Sequence, residues 1–218
     1  MRIFLDTAEI EQIKEAARLG VIDGVTTNPT LVAQAGATDY EATIKEISSI
    51  IPGPISTEVV VEGVGPMLEQ ARQMAAWAPN VVIKLPITAE GLEVTSTLAA
   101  ENIKVNCTLC FSANQALLAG RAGAAYVSPF VGRLDDIGQV GMELVADIVE
   151  MYRNYEDIET QIIAASMRHP EHCQRAAQIG VDIATIPYKV LLQMIKHPLT
   201  ESGIARFLAD FKSVERKS

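Results

Sequence analysis

Cysteine is scarce in this sequence, and no apolar run in it is long. The chain of 218 residues contains three cysteines, an odd number that does not suit a disulfide framework. No apolar run approaches the roughly 20 residues that a membrane-spanning helix requires. The opening residues, MRIFLDTAEI, turn acidic at residue 6 and do not resemble a secretory signal. We therefore expect a soluble, cytoplasmic protein.

Positive charge is also in short supply. Lysine and arginine number 18 against 27 aspartates and glutamates, which gives a net charge of −9. An acidic chain repels nucleic-acid phosphates and anionic lipid surfaces, so we expect neither nucleic acid nor a membrane as a partner. A small phosphate compound can still bind where an arginine or a helix N-terminus is placed locally.

Signatures of bound cofactors and metals are missing as well. No glycine-rich nucleotide-binding pattern follows a predicted strand. The segment CTLC (107–110) lies mostly on a predicted strand, where residues three apart face opposite sides, and no second pair completes a zinc site. The segment HPEHC (169–173) lacks further ligands at an obvious spacing, and we interpret it as a neutral surface turn. We expect neither a cofactor nor a metal.

The chain alternates between short apolar runs and amphipathic stretches. This pattern predicts parallel strands joined by right-handed helical crossovers. There are eight strand-then-helix units, and 218 divided by eight is about 27 residues per unit, at the compact end for a (β/α)8 barrel. We therefore predict a TIM barrel, with a doubly wound open sheet as the alternative. The predicted strands lie within residues 2–6, 23–29, 54–60, 81–86, 103–110, 125–131, 160–166 and 182–187.

No linker, repeat or break in composition divides the chain, so we predict a single domain over residues 1–218. The amphipathic segment GIARFLADFKSVE predicts an additional C-terminal helix over about residues 203–215. Its apolar face can pack either on its own barrel or on a neighbouring subunit.

Polar residues stand at the ends of the predicted strands. In a (β/α)8 barrel the catalytic groups come from the carboxyl ends of several strands, which meet on one face. One lysine, two carboxylates and two arginines would converge there, together with hydroxyl and amide side chains. In chain order the residues are Asp6, Thr26, Asn28, Glu58, Lys84, Asn106, Thr108, Ser128, Arg133, Ser166 and Arg168.

Lys84 is the least expected of these residues, because it interrupts the buried-strand pattern VVIKLP (81–86). Burial disfavours the charged form of an amine. A neutral amine attacks carbonyl carbons and forms a Schiff base, whose iminium withdraws electrons from the adjacent carbon–carbon bond. The alternative is a structural ion pair with Glu58 or Asp6. Lys189 is a competing amine, but it begins a predicted helix and is expected in solvent.

Other polar residues have ordinary structural interpretations too. Asp6 and Glu9 fit a capping pattern at the start of the first helix. Asn28, which is followed by proline, fits an N-cap of the second. Arg133 and Arg168 could be solvated loop residues.

Six ordered motifs resemble the transaldolase family in its short-chain subgroup, which also contains the fructose-6-phosphate aldolases. The resemblance extends from residue 1 to about residue 212, and it implies a cofactor-independent TIM-barrel enzyme of the pentose phosphate pathway. Such an enzyme moves a dihydroxyacetone unit between sugar phosphates. The motifs are FLDTA (4–8), GVTTNPTL (24–31), VVIKLP (81–86), NCTLCFS (106–112), YVSPFVGRLDD (126–136) and ASMRHP (165–170).

The resemblance also implies a role for each matched residue. Lys84 matches the Schiff-base lysine, and Asp6 matches the carboxylate that takes the proton of the substrate C4 hydroxyl. Glu58 and Thr108 match the pair that orders a catalytic water. The remaining matches hold the substrate: Thr26, Asn28, Asn106 and Ser128 at its hydroxyls and enamine, and Arg133, Ser166 and Arg168 at its phosphate.

Two positions separate the sister activities of this family. Transaldolases resemble this chain in having glutamate at Glu58 and phenylalanine at Phe130, where the aldolases typically have glutamine and tyrosine. A tyrosine hydroxyl can help to protonate the enamine, whereas an apolar ring leaves the enamine waiting for an acceptor. The resemblance therefore implies transfer from sedoheptulose 7-phosphate to glyceraldehyde 3-phosphate, giving erythrose 4-phosphate and fructose 6-phosphate. Fructose-6-phosphate aldolase is the alternative.

Small members of the family tend to form rings, so the resemblance further implies a homo-oligomer such as a pentamer or decamer. Two other functions stay open at this point. A non-catalytic phosphosugar-binding barrel would bind sugar phosphates without forming a reducible imine. A metal-dependent aldolase would lose its activity in the presence of a chelator.

Overall fold

The computed structural model describes residues 1–215. Eight parallel strands close into a barrel, in which each strand pairs with the next along the chain and the eighth pairs with the first. Each strand lies within the range predicted for it. The strands are β1 (Arg2–Asp6), β2 (Gly24–Thr26), β3 (Ile55–Glu58), β4 (Val81–Pro86), β5 (Val105–Cys110), β6 (Tyr126–Pro129), β7 (Gln161–Ala164) and β8 (Ile183–Ile186).

Helices follow the strands and cover the outside of the barrel. This architecture confirms the predicted (β/α)8 barrel, and the open-sheet alternative is wrong. In the part of the chain that the structure describes, no helix is both long and apolar enough to cross a lipid bilayer. That residues 1–218 form a single domain stays a prediction. The helices are α1 (Ile10–Arg18), α2 (Pro29–Gln34), α3 (Tyr40–Ile50), α4 (Val64–Ala75), α5 (Ala89–Ala100), α6 (Ala113–Arg121), α7 (Val131–Asp135), α8 (Gly141–Arg153), α9 (Pro170–Ile179), α10 (Tyr188–Ile195) and α11 (Pro198–Glu215).

The larger apolar core lies between the strands and the helices. In β4, Val81, Ile83 and Leu85 belong to this layer, whereas Val82 belongs to a separate cluster inside the barrel. Because both faces of a parallel strand are covered, the sequence of β4 is almost continuously apolar. Lys84 is thus a charged residue on a strand that has no solvent face.

The inside of the barrel has an apolar half and a polar half. Five buried side chains form a cluster toward the amino ends of the strands: Phe4, Val82, Tyr126, Ile163 and Ile183. Four of these strands carry a polar side chain two residues further along: Asp6, Lys84, Ser128 and Thr185. The apolar cluster therefore forms a floor beneath the polar residues.

Gly24 makes room for this floor. A Cβ atom at Gly24 would lie 2.7 Å from the ring of Phe4 and 2.7 Å from the main-chain oxygen of Pro54. Glycine inside a strand often marks such a close approach. The Phe4 ring can thus fill the barrel next to β2.

Two capping predictions have different outcomes. Asn28 does cap α2, because its side-chain oxygen accepts a hydrogen bond from the Leu31 amide at 3.0 Å. Asp6 does not cap α1, which begins only at Ile10. Its carboxylate instead accepts a hydrogen bond from Thr26 at 2.7 Å. The capping interpretation of Asp6 is therefore wrong, and the carboxylate belongs to the interior of the barrel.

The C-terminal helix is longer than predicted. It begins at Pro198 rather than near residue 203. Proline is tolerated in the first turn because its missing N–H would have no partner there. Gly203, which we interpreted as the start, lies inside the helix with open space around its Cβ position.

The second half of β5 departs from regular strand geometry. Its pairing with β6 shifts register between Cys107 and Cys110, and Leu109 has a φ of +56°. Both cysteines consequently lie in the same outer core, so the expectation that they face opposite sides is wrong. Burial raises the pKa of each thiol to about 11. Thiols that stay protonated at neutral pH are poor metal ligands.

Candidate active site

Lys84 is buried beside a carboxylate. Its side chain is 6% exposed, and its Nζ lies 2.9 Å from an oxygen of Glu58. Nζ also donates a hydrogen bond to the main-chain oxygen of Thr27 at 3.2 Å. The ion pair considered as the structural alternative is therefore present. The ion pair is also compatible with a nucleophilic role of Lys84, because Glu58 is placed to accept the proton that the amine must lose before it attacks a carbonyl. Lys189, the competing amine, is exposed on α10.

Strand register brings Lys84 and Glu58 together. The two residues are direct partners across the parallel pairing of β3 with β4. Behind them, the hydroxyl of Tyr40 accepts a hydrogen bond from the Glu58 amide at 3.0 Å. The Tyr40 ring packs edge-on against Trp77, with ring centres 5.6 Å apart. Tyr40 therefore fixes the main chain that carries the carboxylate.

Asp6 ends a chain of three hydrogen-bonded oxygens. Thr26 donates to its carboxylate at 2.7 Å, and the Oγ1 atoms of Thr26 and Thr185 are 2.6 Å apart. Since Thr26 has one O–H and uses it on Asp6, Thr185 is the donor in the second bond. Burial raises the pKa of the Asp6 carboxyl above its ordinary value of 3.8; the hydrogen bond from Thr26 and the charge of Lys84 oppose the rise, and the charge of Glu58 adds to it. A raised pKa makes a carboxylate a better proton acceptor at neutral pH.

Asn106 lies at the centre of a buried polar network beside the lysine. Its Nδ2 donates to the Oγ of Ser56 at 3.1 Å, and its Oδ1 accepts from the Oγ of Ser128 at 2.7 Å. Asn106 is also the β5 partner of Lys84 in the sheet. The amide is therefore held in one orientation on the strand that pairs with that of Lys84.

Thr108, two residues further along β5, has an unused hydroxyl. Its Oγ1 is buried and finds no hydrogen-bond partner within residues 1–215. Leaving a buried hydroxyl unpaired costs free energy, and in native proteins such a group calls for a functional explanation. The following residue, Leu109, has a positive φ, which is an outlier for a bulky side chain. The hydroxyl is thus available to a bound oxygen atom.

The rim of the barrel carries an aromatic ring in contact with an arginine. Phe130 follows β6 and packs edge-on against Phe111, with ring centres 5.6 Å apart. The guanidinium of Arg133 lies 4.9 Å from the centre of the Phe130 ring, within cation–π range. Ser166, after β7, has a φ of +58°, which few residues other than glycine adopt. Arg133 and Ser166 line the same cavity.

Arg168 does not line that cavity. Its guanidinium donates to a carboxylate oxygen of Asp136 at 2.6 Å, and about half of each side chain is exposed. The Arg168 side chain lies against Gly132, where a Cβ atom would come within 2.5 Å of its Nε. Of the two arginines that were predicted to converge on the site, only Arg133 therefore lines the cavity.

A cavity of about 110 Å³ joins these groups into one site. All of its lining residues except Ala165 and Thr185 are among those predicted. Glu58 and Asn106 do not line it but contact the lining residues Lys84 and Ser128, and Thr108 is not among the lining residues either. A larger cavity of about 630 Å³ surrounds Lys104 and Gln161 at the amino ends of the strands, where TIM barrels do not place their chemistry. The lining consists of Asp6, Thr26, Asn28, Lys84, Ser128, Phe130, Arg133, Ala165, Ser166 and Thr185.

Thr185 and Tyr40 are site residues that the sequence analysis missed. Thr185 interrupts an apolar strand as Lys84 does, and that interruption is the signal that could have revealed it. Threonine is common in strands, however, so the signal is weak. Tyr40 begins a helix, and nothing local to it indicates a partner on β3.

A buried lysine flanked by carboxylates at the carboxyl end of a (β/α)8 barrel defines a class of TIM-barrel proteins with a lysine-centred site. Within that class, the chain belongs to the transaldolase/fructose-6-phosphate aldolase family, whose model matches residues 3–218. It is 61% identical over 217 residues to a protein of Dehalococcoides mccartyi described as "Probable transaldolase", covering 99% of this chain and all of the relative. A "Probable transaldolase" of Caldicellulosiruptor saccharolyticus is 57% identical over 218 residues, covering both chains completely. One of Moorella thermoacetica is 56% identical over 217 residues, again covering both completely.

The pKa of Asp6 can be measured directly by carbon NMR with labelled aspartate. We expect Asp6 to titrate above 3.8, and still higher in Thr26→Val, because that variant removes a hydrogen bond that stabilises the ionised form. Asp157 is an internal control, since the hydrogen bond from Arg121 lowers its pKa and Thr26→Val should leave it unchanged. An Asp6 resonance that titrates at or below 3.8 in both proteins would contradict this account.

Proposed function

We propose that the chain is a transaldolase that transfers a dihydroxyacetone unit between sugar phosphates through a Schiff base on Lys84. The observation that carries the proposal is a buried Nζ 2.9 Å from Glu58, in a cavity that Asp6 also lines. An amine, a partner for its proton and a second carboxylate are the groups that class I aldol chemistry needs.

In the proposed reaction, Lys84 first gives a proton to Glu58 and attacks the carbonyl carbon of sedoheptulose 7-phosphate. The carbinolamine then loses water and becomes an iminium. Glu58 contacts the amine, and Thr108 has a buried unpaired hydroxyl on the neighbouring strand; the two are proposed to order the water that enters and leaves.

Asp6 performs the proton transfers that accompany the breaking of the C3–C4 bond and the formation of the new carbon–carbon bond. It accepts the proton of the substrate C4 hydroxyl as the C3–C4 bond breaks, and erythrose 4-phosphate departs as the aldehyde. The electron pair of the broken bond stays on the Lys84 adduct as an enamine. When glyceraldehyde 3-phosphate enters, the enamine carbon attacks its carbonyl, Asp6 returns the proton to the new hydroxyl, and hydrolysis releases fructose 6-phosphate.

Amide and hydroxyl groups hold the intermediate in this scheme. The Oδ1 of Asn28 is occupied by the helix cap, which leaves its Nδ2 as a donor toward the cavity. Asn106 and Ser128 form a fixed pair beside Lys84, and Thr26 connects the ketose hydroxyls to Asp6. These groups are proposed to bind the substrate hydroxyls and the enamine.

The phosphate is proposed to bind at the rim. Arg133 and Ser166 line the cavity there, and Arg168 reaches it by exchanging Asp136 for the phosphate. That exchange is feasible because the Arg168–Asp136 pair is half exposed, and such pairs contribute little stability. Planar guanidinium groups bind phosphate through two parallel hydrogen bonds.

Phe130 supports transfer rather than release. Its ring lines the cavity and offers no proton to an enamine. The enamine would therefore persist until an acceptor aldehyde arrives. The sister activity, fructose-6-phosphate aldolase, would instead protonate the enamine and release free dihydroxyacetone.

Two further properties are proposed for the working enzyme. The three cysteines are buried free thiols, which supports the reducing cytoplasm as its location. Helix α11 exposes a row of large apolar side chains, which supports a homo-oligomer in which this helix contacts a neighbouring subunit. The exposed residues of this row include Leu199, Ile204, Phe207, Leu208 and Phe211.

Borohydride trapping tests the Schiff base. With fructose 6-phosphate and borohydride, we expect a covalent adduct that peptide mass spectrometry maps to Lys84. Lys84→Met should lose both the adduct and turnover, because no other buried amine lines the described cavity. Lys189→Met is the matched control and should keep both. An adduct elsewhere, or wild-type turnover in Lys84→Met, would overturn the proposal.

Dependence on an acceptor separates the two sister reactions. With fructose 6-phosphate alone, we expect at most one equivalent of sugar to be cleaved per active site, because the enamine then waits on Lys84. Addition of erythrose 4-phosphate should start continuous turnover and produce sedoheptulose 7-phosphate. Continuous release of dihydroxyacetone without an acceptor would favour the aldolase.

The apolar face of α11 predicts the oligomeric state. Sedimentation equilibrium should give an assembly larger than a monomer, and Phe207→Asp together with Phe211→Asp should shift it toward smaller species. Leu118→Asp is the control, because Leu118 is 52% exposed on α6 and lies outside this face. A wild-type chain that stays monomeric at micromolar concentration would rule out the assembly.

A further inference from the structure

His172 lies in α9 behind the phosphate rim, and both of its ring nitrogens are engaged. Its Nδ1 accepts a hydrogen bond from the main-chain amide of Arg168 at 3.3 Å. Its Nε2 lies 3.1 Å from a carboxylate oxygen of Asp135. The residue is 6% exposed, so the interpretation of this segment as a surface turn is wrong for His172.

These contacts define the protonation of the ring. A main-chain N–H can only donate, so the Nδ1 that faces it carries no proton. The ring proton therefore lies on Nε2 and is donated to Asp135. Burial and the neighbouring His169 lower the pKa of His172, with a smaller contribution from Arg168 in the same direction, while the charges of Asp135 and Glu171 oppose this. The neutral ring is thus the form at neutral pH.

His172 connects the two segments that carry the arginines. Asp135 ends α7, two residues after Arg133, and its other oxygen accepts from the Gly141 amide at 2.9 Å. The next residue, Asp136, holds the guanidinium of Arg168 at 2.6 Å. The end of α7 therefore contacts Arg168 in two ways. Asp136 holds its side chain, and Asp135 contacts His172, which accepts a hydrogen bond from its main-chain amide.

We propose that His172 is a positioning residue that sets the distance between Arg133 and Arg168, so that both can bind one phosphate group. This inference rests on the proposed function, which places a phosphate there. When Arg168 leaves Asp136 for the phosphate, the start of α7 stays joined to residues 165 and 166 by the amides of Val131 and Gly132. The link through His172 then holds the end of α7 to the main chain of Arg168 itself. The histidine then keeps the two guanidinium groups in register while the ligand is bound.

A metal site at this place is a weaker interpretation. Ligand atoms of His169, Glu171 and His172 lie within 4.8 Å of one another. A cation would have to displace the Arg168 amide or Asp135 from His172 to reach a ring nitrogen. The existing hydrogen bonds already account for His172, and they need no ion.

Protonation of His172 should weaken anion binding. An imidazolium has a proton on both nitrogens, so it can no longer accept from the Arg168 amide. Because the pKa of His172 is lowered, this loss should occur below its ordinary value of 6.5. Sulfate is a suitable probe, since it stays a dianion over that range whereas phosphate itself titrates near about pH 6.

Competitive inhibition by sulfate, together with steady-state kinetics, tests the inference. His172→Leu removes both hydrogen bonds, and we expect the KM for glyceraldehyde 3-phosphate and the inhibition constant of sulfate to rise about tenfold, with a much smaller change in kcat. His172→Asn keeps an acceptor for the Arg168 amide, so it should restore part of the affinity. His197→Gln is the control histidine variant, since His197 lies between α10 and α11.

The pH profile separates positioning from general stability. In the wild type, sulfate should bind more weakly as the pH falls through the pKa of His172. In His172→Asn this decline should be absent, because an amide does not titrate. The Asn variant and the wild-type profile keep the test decisive if His172→Leu does not fold.

Two failures can be told apart. If Arg133→Ala and Arg168→Ala leave sulfate inhibition unchanged, the proposed phosphate site itself is wrong. If both arginine variants weaken sulfate while the His172 variants match the wild type in affinity and in pH profile, the positioning role alone is overturned.

Discussion

The contact between Lys84 and Glu58 is the constraint on which the site depends. The pair lies inside a closed barrel, and moving two charges there from water costs several kcal/mol. The arrangement is stabilised by three contacts. The Thr27 oxygen accepts a hydrogen bond from the ammonium, and Tyr40 fixes the Glu58 main chain. The apolar floor packs beneath the polar half of the barrel. Removal of Glu58 would leave the buried ammonium without its nearest opposite charge.

Much of this could be predicted from the sequence, because the signals are local. Eight apolar runs followed by amphipathic stretches indicate the barrel before any contact is known. Inside the barrel, a strand that begins apolar and becomes polar two residues later contributes to the site, as Phe4 and Asp6 or Val82 and Lys84 do. A charged residue in such a strand is unusual, and for that reason Lys84 could be predicted as a site residue; it does line the cavity.

The parts that could not be predicted depend on contacts between distant segments. Thr185 contacts Thr26, and His172 contacts Asp135, on elements far away along the chain. The capping interpretation of Asp6 failed because a capping pattern does not show where the helix begins. The cysteine prediction failed because it assumed a regular strand, and the irregularity at Leu109 turns both thiols to the same side.

The direct pairing of Glu58 with Lys84 also has a consequence for assembly of the barrel. Neighbouring residues of a strand face opposite sides, so a slip of β3 by one residue would turn Glu58 outward. The barrel would then close over an ammonium that has lost its nearest carboxylate, and breaking a buried pair in this way costs roughly 3–5 kcal/mol. The same two charges that are proposed to make and break substrate bonds thus also help the nascent chain to reject wrongly aligned strands.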